Sequence, residues 1–587
     1  MNALQGWASP DHADRYRRRV FAERSRLAAE HTDMRGMQQR VLADLLEFNA
    51  DTEFGRQHGF RNIRTIDDYR KAVPVQDYAA HGPLIERMAA GEENLLSADA
   101  PVVYFTSSGT TGAHKKIPVT RRFMQTTFFP FYYAAWAPLI EHYPDVMRRP
   151  DAVLNLKHDP LSAPTTTVSG HPHVGASQVD LGTRFGEPLS AELGTAAPWA
   201  TLPVDVAPDD HVQKMYLRLR LAVQSDLRGL IGINPAMIAA VPHQLNLWWP
   251  RIVKEVRDGT VGGAPHGSPD PERAAELERL AEYFGVVRPA HVWPHVRALF
   301  CWTTGVASLY LPALREQFGT GVAALPAPVA ASEGPVGVPL DRNGSAGSLV
   351  LSASVYEFVD AEADLGPDAE TLLPHELQEG RDYHVLFSHV GGLYRYAGGD
   401  VVRVVDRVRG VPRVEYAGRG TRSDAVGERL REAQVIRALQ AASSSTGLPL
   451  RNAACRVEQD PRDAAAAVQA RPGTAAARYV FAVAPETPWD AAETERFTSL
   501  VDSALSAESA GYARARSDAA LAPARLRLLD SDSFARDWHT SVGRGIRPTQ
   551  VKDRLFRQSD AQWQQLTGTD TTTRPAGRGH DEGGQQA

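Results

Sequence analysis

An apolar stretch runs directly into a loop rich in glycine and hydroxyl groups, and this junction restricts the possible architecture more than any other segment. Residues 102–105 read VVYF, and residues 106–116 read TSSGTTGAHKK. The first stretch predicts a short buried strand, because β-branched and aromatic residues pack well on a pleated surface. Glycines in the second stretch let backbone N–H groups converge on an anion, and Lys115 adds a point charge. The pattern therefore predicts a phosphate-binding loop, with hydroxyl donors at Ser107, Ser108, Thr110 and Thr111.

The spacing of the glycines separates this loop from the P-loop of kinase-type proteins. That motif is GxxxxGK[ST], in which the lysine directly follows the second glycine. Here Gly109 and Gly112 are three residues apart, and Lys115 lies three residues beyond Gly112. A polar turn between a strand and a helix, without any ligand, stays the alternative interpretation.

The rest of the chain alternates between strand-like and helical segments, which indicates an α/β architecture of helix-covered sheets. Residues 152–156 read as a buried strand, residues 215–224 and 235–248 as helices, and residues 262–272 as a loop. The segment HPH at 171–173 also reads as a loop, because no third ligand with metal-site spacing accompanies it.

The pattern changes near residues 418–427, GRGTRSDAVG, where glycine and charge accumulate. Beyond this point we expect a smaller α+β unit. Its predicted elements are a helix at 428–442, strands near 453–458, 478–484 and 524–529, and a helix at 489–507. The predicted organisation is a large N-terminal domain at 1–418, a hinge at 419–427 with Ser423 and Asp424 as candidates, a mobile C-terminal lid at 428–560, and a disordered tail at 561–587.

Composition excludes several classes of protein. The formal net charge of -6 over 587 residues argues against a nucleic-acid or anionic-membrane partner. The 2 cysteines form no CxxC pair, so a disulfide framework is not expected. The N-terminus lacks the apolar core of a signal peptide, and no run is long enough to span a membrane. We therefore expect a cytoplasmic protein, and we expect a monomer.

Several ordered motifs resemble one known family. TSSGTTGAHK is similar to the phosphate loop of the adenylate-forming superfamily, with His114 where a proline is usual. The other matches are EFNADTEFGRQHGF at 47–60, DDYRKAVPVQDYAAHGPLIERMAAGE at 67–92, VWPHVRALFCWTTGVASLYLPAL at 292–314, VAASEGPVGVPL at 329–340, GGLYRYAGGDVVRV at 391–404, GRGTRSDAVGERLREAQV at 418–435 and PTQVKDRLF at 548–556. Together they resemble the auxin-responsive acyl acid amido synthetase family, in a bacterial form of the plant enzymes that join auxin or jasmonate to amino acids.

The resemblance implies a set of residues that bind ATP. It implies that Glu333 is catalytic and coordinates magnesium on the nucleotide, a role suited to a carboxylate. It implies that Asp400 accepts both ribose hydroxyls, and that catalytic Lys552 reaches the α-phosphate from the small unit. Ala331 and Ala397 replace a usual serine and arginine, respectively. The full ATP-binding set is Ser107, Ser108, Gly109, Thr110, Thr111, Gly112, Lys115, Ala330, Ala331, Ser332, Tyr396, Asp400 and Arg419.

An aromatic-rich helix follows the loop, and the resemblance places part of an acyl-acid pocket on it. We expect Phe123 and Phe128 to line that pocket, together with Thr304 and Gly305 in the turn after the central strand. Other aromatic residues of the helix are expected in the core, since helical aromatic stripes usually pack inward. An apolar or aromatic acid is the expected substrate.

The resemblance implies an ATP- and magnesium-dependent ligase for small molecules. A carboxylic acid is activated as an acyl-adenylate with release of pyrophosphate, and an amine, expected to be an amino acid, displaces AMP to form an amide. Two alternatives stay open. The acyl group is instead transferred to the thiol of coenzyme A or a carrier protein, or the chain binds nucleotide without turnover.

Overall fold

The chain folds into helix-covered sheets and a separate C-terminal α+β unit. The computed structural model describes residues 10–108, 114–159, 165–189, 193–342, 344–459, 477–551 and 553–568. Its strands are β1 (Val103–Ser108), β2 (His114–Val119), β3 (Val153–Asn155), β4 (Thr165–Thr166), β5 (Pro172–Val174), β6 (Gly229–Ile231), β7 (Thr260–Val261), β8 (Ala264–Pro265), β9 (Ala298–Cys301), β10 (Ala323–Pro326), β11 (Val329–Ala330), β12 (Pro335–Val338), β13 (Gly347–Leu349), β14 (Val355–Asp360), β15 (Asp382–His389), β16 (Leu393–Val408), β17 (Val411–Arg419), β18 (Arg422–Ser423), β19 (Leu430–Arg431), β20 (Leu450–Gln459), β21 (Ala477–Pro485) and β22 (Arg525–Leu528).

The α-helices are numbered in the same way. They are α1 (Pro10–Glu30), α2 (Met34–Phe48), α3 (Glu53–Gln57), α4 (Ile66–Ala72), α5 (Tyr78–Ala89), α6 (Arg121–Phe123), α7 (Phe129–Ala134), α8 (Ala137–His142), α9 (Leu181–Phe185), α10 (His211–Ala222), α11 (Pro235–Ala239), α12 (Val241–Asp258), α13 (Pro271–Phe284), α14 (Pro289–Val292), α15 (Leu311–Phe318), α16 (Glu432–Thr446), α17 (Ala491–Glu508), α18 (Ala510–Ser517), α19 (Ser533–Gly543) and α20 (Asp560–Thr567). A π-helical turn at Met124–Phe128 links α6 to α7. Among the described residues, no helix has the length and apolar character to cross a membrane.

A parallel four-stranded sheet, in the order β10-β9-β6-β3, forms the centre of the N-terminal part. Leu230 and Leu299 belong to a core with Leu219 of α10. Ile231 and Phe300, the next residue along each strand, belong to the other major core. Because neighbouring side chains point to opposite faces, both faces of the sheet are covered, as parallel sheets require. This arrangement confirms the predicted α/β class.

The N-terminal part also contains the two-stranded pair β7-β8 and two larger sheets. The first has the order β2-β1-β5-β4, with β1 antiparallel to β2 and parallel to β5. The second has seven antiparallel-paired strands in the order β11-β12-β13-β17-β16-β15-β14. Its longest strand, β16, carries register shifts against both neighbours. Such irregularities locally re-aim side chains, and β16 contains two of the predicted nucleotide-binding residues.

The C-terminal unit has its own sheet, β20-β21-β22, covered by α16 and α17. Leu439, Phe481 and Phe497 are buried together in a core distinct from those of the parallel sheet. Side-chain contacts join this unit to the N-terminal part. Arg451 forms a bidentate salt bridge with Glu316, with the shorter contacts at 2.6 Å. The predicted smaller α+β unit is therefore confirmed, whereas the exact domain limits stay predictions.

Three local predictions are wrong in detail. Residues 235–248 form two helices that meet at Ala240, because Pro242 has no N–H to continue the hydrogen-bond ladder. Part of the HPH segment is not a loop, because Pro172–Val174 is a strand paired with β1 and β4. The tail begins later than expected, because Asp560–Thr567 is a helix with Trp563 and Leu566 buried. Residues 569–587 of the predicted tail lie outside the described residues.

Candidate active site

The predicted phosphate loop connects two strands of a hairpin, so the strand-to-helix turn of the alternative interpretation is wrong. Strand β1 pairs antiparallel with β2, so that Thr106 faces Lys116 and Ser107 faces Lys115. This register brings the two ends of the loop together. The predicted phosphate ligands Gly109, Thr110, Thr111 and Gly112 lie outside the described residues, as do the side chains of Ser107 and Ser108. Their role stays a prediction.

Lys115 is held at the base of this loop. Its Nζ lies 5.1 Å from the centroid of the Tyr78 ring, within the range of a cation–π contact. The Tyr78 hydroxyl accepts a hydrogen bond from the Lys116 N–H at 2.9 Å. Burial raises the pKa of Tyr78, and the negative charges of Glu86 and Glu333 act in the same direction. Tyr78 therefore links the loop lysine to the neighbourhood of Glu333.

A tight turn presents Glu333 beside the loop. The N–H of Ala331 donates to the Gly334 carbonyl at 3.0 Å, and the N–H of Gly334 donates back to Ala331 at 3.2 Å. The Ser332 hydroxyl donates to the Thr106 carbonyl at 3.1 Å. This contact ties the second predicted nucleotide motif to the first. Glu333 itself is buried, with only 5% of its surface exposed.

Tyr396 brings the third motif to the same point. Its hydroxyl donates to Oε1 of Glu333 at 3.3 Å. Burial raises the pKa of Tyr396, and the adjacent Glu333 and Asp400 carboxylates raise it further, so the hydroxyl keeps its proton. His389 adds a contact at 2.9 Å between its Nε2 and the Glu333 carbonyl. The structure therefore brings Lys115, Ser332, Glu333 and Tyr396 together, and their role in binding ATP stays a prediction.

A buried ion pair fixes the backbone that carries Tyr396. Arg395 has a φ of 43°, in the left-handed region that a residue with a side chain rarely adopts. Its Nε and Nη2 donate to the two oxygens of Glu357, each at 2.9 Å. The same carboxylate accepts from Nε of Arg70 at 3.0 Å and from the Thr371 hydroxyl at 2.6 Å. This network stabilises a strained residue directly before Tyr396.

Asp400 lies farther along β16, opposite Arg419 at the end of β17. Nε of Arg419 is 3.8 Å from Oδ1 of Asp400, and both side chains are partly exposed. The Tyr416 ring lies next to this pair, and a Cβ added at Gly305 would come within 3.0 Å of it. Gly305 has a φ of +61°, so both its backbone conformation and the close approach favour glycine. Gly305 and Thr304 thus lie on the Asp400 side of the site.

The predicted pocket aromatics differ in burial. Phe123 is buried in the core, where its ring centroid lies 4.6 Å from that of His389. Phe128 is half-buried, is edge-on to Phe105 at 6.0 Å, and stacks on Tyr132 at 5.7 Å. Phe128 ends the π-helical turn, a conformation frequent at functional sites. Of the two, Phe128 has the surface needed to touch a ligand.

The C-terminal segment reaches the carboxyl edge of the parallel sheet. Nδ2 of Asn234, just beyond β6, donates to the Val551 carbonyl at 2.7 Å. The Tyr310 hydroxyl, in the 3-10 helix that follows β9, donates to Oδ2 of Asp553 at 2.7 Å. Ligands of open α/β sheets bind at this edge. Lys552 lies outside the described residues, but both of its chain neighbours contact the residues after the parallel strands.

Several residues of the site were not predicted from the sequence. Tyr78 contacts Lys115, and His389 contacts Glu333. Glu357 contacts Arg395. The sequence analysis assigned no role to any of these three contacting residues. The one sequence signal for His389 is the double glycine that follows it at 391–392. In the structure the Gly391 N–H donates to the His389 ring at 3.1 Å. Tyr78 lies in the matched segment 67–92, but nothing in that segment indicates its contact with Lys115.

Three family models match successive parts of the chain. The GH3 family N-terminal domain matches residues 24–322, the GH3 family central domain residues 347–419, and the GH3 family C-terminal domain residues 434–560. The chain belongs to the GH3 family. All the motifs that carry the resemblance lie within or between these segments of the GH3 chain.

Individual relatives agree with this assignment. Indole-3-acetic acid-amido synthetase GH3.6 of Arabidopsis thaliana is 23% identical over 423 residues, covering 66% of this chain and 67% of that protein. Jasmonoyl-L-amino acid synthetase GH3.5 of Oryza sativa subsp. japonica is 22% identical over 425 residues, covering 65% and 70%. The solved structure of AtGH3.15 acyl acid amido synthetase in complex with 2,4-DB has a TM-score of 0.73 at 19% identity, covering 93% of this chain and 95% of that one. This structure shares the fold.

Ala331 and Ala397, which depart from the usual GH3 motifs, both keep backbone hydrogen bonds. Ala331 keeps both hydrogen bonds of its turn, so a backbone contact at this position survives the loss of a serine hydroxyl. The Ala397 N–H donates to the Gln76 carbonyl at 2.8 Å, and its side chain packs beside Val75 and Leu386. Ala397 therefore supports strand β16 but supplies no charge at a position where an arginine is common.

Proposed function

We propose that this protein is an ATP-dependent acyl acid amido synthetase. The observation that carries the proposal is the convergence of three motifs of a GH3 chain at Glu333. Ser332 joins the turn of this residue to β1 at 3.1 Å, and Tyr396 joins its carboxylate to β16 at 3.3 Å. An acidic group, a loop lysine and a ribose-binding carboxylate arranged around one site suit the binding and activation of a nucleoside triphosphate.

In this proposal the hairpin loop 106–115 holds the β- and γ-phosphates. Backbone atoms of Ala330 and Ala331 line the adenine, and Tyr396 lies beside it. Asp400 accepts hydrogen bonds from the two ribose hydroxyls, which its two oxygens can serve together. Arg419 lies 3.8 Å from Asp400, on the same side of the site.

The site also suits magnesium on the nucleotide. Among the described residues, no group of three or more His, Cys, Asp or Glu is arranged to hold a metal ion by itself. A single carboxylate is enough when the phosphates of ATP supply further ligands, as is usual for magnesium. Glu333, oriented by the Tyr396 hydroxyl, is that carboxylate. When bound, the ion neutralises charge on the phosphates.

The proposed reaction has two steps. A carboxylate oxygen of the acid attacks the α-phosphorus of ATP, the bond to the bridging oxygen breaks, and pyrophosphate leaves with its electrons. The nitrogen of an amine, expected to be an amino acid, then attacks the acyl carbon, AMP leaves, and the nitrogen loses a proton. Fixed charges from Lys115 and Lys552 stabilise the phosphates in the first step, a contribution that is often the largest in catalysis.

We further infer that residues 428–560 act as a lid over residues 1–418, with a hinge at 419–427. Gly418 has a φ of +107°, which favours glycine at the hinge entrance. Ser423 accepts a hydrogen bond from the Tyr479 hydroxyl at 2.9 Å, and the Asp424 carboxylate accepts the Gly427 N–H at 2.7 Å. The contacts of Val551 and Asp553 support a closed arrangement in which Lys552 adjoins the nucleotide.

The relatives carry names that refer to indole-3-acetic acid and jasmonate. The half-buried Phe128 and Tyr132 suit an acid with an apolar or aromatic body. We propose that such acids are the substrates, that the enzyme acts as a monomer, and that it works in the cytoplasm of a bacterium.

The test is a screen for pyrophosphate release with ATP, aryl, indole and fatty acids, and each amino acid, followed by mass spectrometry of the products. We expect an amide with at least one pair, and we expect no release from Glu333→Ala. A thioester formed in preference to an amide, when coenzyme A and amino acids compete, would assign the chain to the thioester alternative. Absence of turnover with every acid, despite ATP binding, would leave only a nucleotide-binding role.

A further inference from the structure

A cavity that none of the predicted nucleotide-binding residues lines has mainly basic side chains in its wall. It lies where β3 ends, between the segment 156–159, helix α10 and residues 547–549 of the C-terminal unit. Lys157, Lys214, Arg218 and Arg547 line it with one acidic residue, Asp159. The described lining residues therefore carry four positive charges and one negative charge at neutral pH. His211 also lines the cavity, but burial lowers its pKa and keeps its ring neutral.

The basic groups are buried, which is unusual for a helix face. His211, Lys214 and Arg218 follow one another at three- and four-residue spacing on α10, so they share one face. Lys214 and Arg218 are each only 4% exposed. Burying cations is costly unless opposite charge or hydrogen-bond acceptors compensate. Nζ of Lys214 reaches Oδ1 of Asp159 at 2.9 Å and the Pro208 carbonyl at 2.7 Å.

Arg218 has a donor that the described structure leaves without an acceptor. Its Nη1 donates to the Leu156 carbonyl at 3.4 Å, and its Nη2 donates to the His158 carbonyl. Its Nε is fully buried and, within the described residues, has no hydrogen-bond partner. A buried donor without an acceptor costs about 1–3 kcal/mol, so the burial of this guanidinium is only partly compensated by the described residues.

Two parts of the chain build the cavity. Lys157, Lys214 and Arg218 belong to the N-terminal part, whereas Arg547 and Thr549 belong to the segment that leads to Lys552. Nη1 of Arg547 donates to Oε1 of Gln178 at 2.5 Å, which docks this segment on the N-terminal part. Residues 547 and 552 are at most about 17 Å apart along an extended chain. The cavity is therefore complete only when the segment beside Lys552 is docked.

We propose that this cavity binds a small oxyanion, a carboxylate or phosphate group, through Lys157, Lys214, Arg218 and Arg547. The anion balances the excess positive charge of the described lining residues. Because Arg547 is contributed by the C-terminal segment, the bound anion also holds that segment against the N-terminal part. The carboxylate of an amino acid and free phosphate or pyrophosphate share this chemistry. The inference does not depend on the proposed amide-forming reaction.

The test is calorimetric titration of the intact protein with inorganic phosphate at low ionic strength. Arg547 is half-buried, so Arg547→Gln should fold, and a second variant, Lys157→Gln, checks the result. Arg544→Gln is the matched control, since it removes the same charge from the same segment at an exposed position. Lys115→Ala separates the cavity from the nucleotide loop.

We expect phosphate binding to weaken at least tenfold in Arg547→Gln and in Lys157→Gln, and to be unchanged in Arg544→Gln. The Lys115→Ala protein should keep one phosphate per chain. Absence of binding in the parent, equal binding in parent and Arg547→Gln, or complete loss in Lys115→Ala would overturn the proposal.

Competition then identifies the source of the anion. Displacement of phosphate by glycine but not by glycinamide assigns the cavity to the carboxylate of an amino acid. Displacement by pyrophosphate but by neither glycine nor glycinamide assigns it to a phosphate. Equal displacement by glycine and glycinamide would contradict an oxyanion site.

Discussion

At the scale of single residues, Asp400 offers the most direct test of nucleotide binding. Asp400→Ala should weaken ATP binding about 100-fold, or about 3 kcal/mol, because two hydrogen bonds to a charged acceptor are lost. Binding of the acid should change little. Asp406→Ala is the matched control, because Asp406 is also on β16 but pairs with Arg413. Equal ATP affinity of parent and Asp400→Ala by calorimetry would refute the ribose role.

The pH dependence of stability should report on His389. Burial lowers the pKa of His389 to about 4 from an ordinary value of 6.5. In the unfolded chain His389 binds a proton near pH 6.5, whereas in the folded chain it binds one only near pH 4. The free energy of unfolding therefore falls as pH drops from about 6.5 to about 4. Between pH 7 and pH 5 this group should cost about 2 kcal/mol.

Urea unfolding at pH 7 and pH 5 measures this cost. We expect His389→Gln to reduce the loss of stability on acidification by about 2 kcal/mol relative to the parent. His266→Gln, at an exposed position, is the control and should leave the pH dependence unchanged. A parent and a His389→Gln variant with the same pH dependence would show that this histidine is not the group responsible.

The residues that the sequence identifies lie in short motifs, whereas those that it misses are brought to the site by contacts between distant positions. Ser332, Glu333 and Tyr396 lie in short motifs whose composition already indicates their chemistry, and the structure does bring them together. Tyr78 and His389 act through contacts that only the fold creates. The Tyr78 hydroxyl meets the Lys116 backbone 38 positions away, and His389 meets Glu333 56 positions away. No local pattern encodes such a distance.

At the scale of elements, β16 depends on the ion pair that holds Arg395. Glu357 and Arg395 are 1% and 5% exposed, respectively, so neutralising one leaves the other as an uncompensated buried charge. Glu357→Gln should lower the free energy of unfolding by about 3 kcal/mol, the lower end for breaking such a pair.

The same change should raise the KM for ATP, because the strained Arg395 directly precedes Tyr396. Glu362→Gln is the control, since Glu362 is 63% exposed in its salt bridge with Arg431. Urea unfolding and steady-state kinetics of both variants provide the measurements. A Glu357→Gln protein as stable as the parent would mean that the pair does not support the strand.

Element prediction succeeded where a pattern extended over many residues. The strand at 152–156 was expected because its apolar run is continuous, and the helices at 428–442 and 489–507 were expected beyond the change of pattern near 418–427. The strand β5 was missed because it has three residues, begins with proline, and is defined by its pairing with β1. The break at Ala240 was missed although Pro242 is visible in the sequence, because a proline at the second position also fits the start of a helix.

At the scale of the whole molecule, Lys552 should serve one half-reaction and not the other. Its chain neighbours dock on Asn234 and Tyr310, after two parallel strands of the N-terminal part, while Lys552 itself belongs to the C-terminal unit. We propose that this lysine neutralises charge on the α-phosphate during adenylation. The second step needs room for an amine, so we expect the hinge at 419–427 to move the lysine away, a motion of the kind that often limits turnover.

Lys552→Ala should therefore slow formation of the acyl-adenylate about 100-fold, or about 3 kcal/mol, but should still convert presynthesised acyl-adenylate and amine to the amide at the parental rate. Rapid-quench measurement of each half-reaction in parent and variant provides the test. Lys254→Ala, a surface lysine paired with Asp258 in α12, controls for loss of charge. Tyr310→Phe keeps Lys552 in the sequence but removes the hydrogen bond to Asp553, and so loosens the docking of the segment that carries the lysine. This variant should slow adenylation more than amide formation. If Lys552→Ala slows both half-reactions equally, the lysine does not alternate between two positions, and the C-terminal unit is a fixed part of one active site.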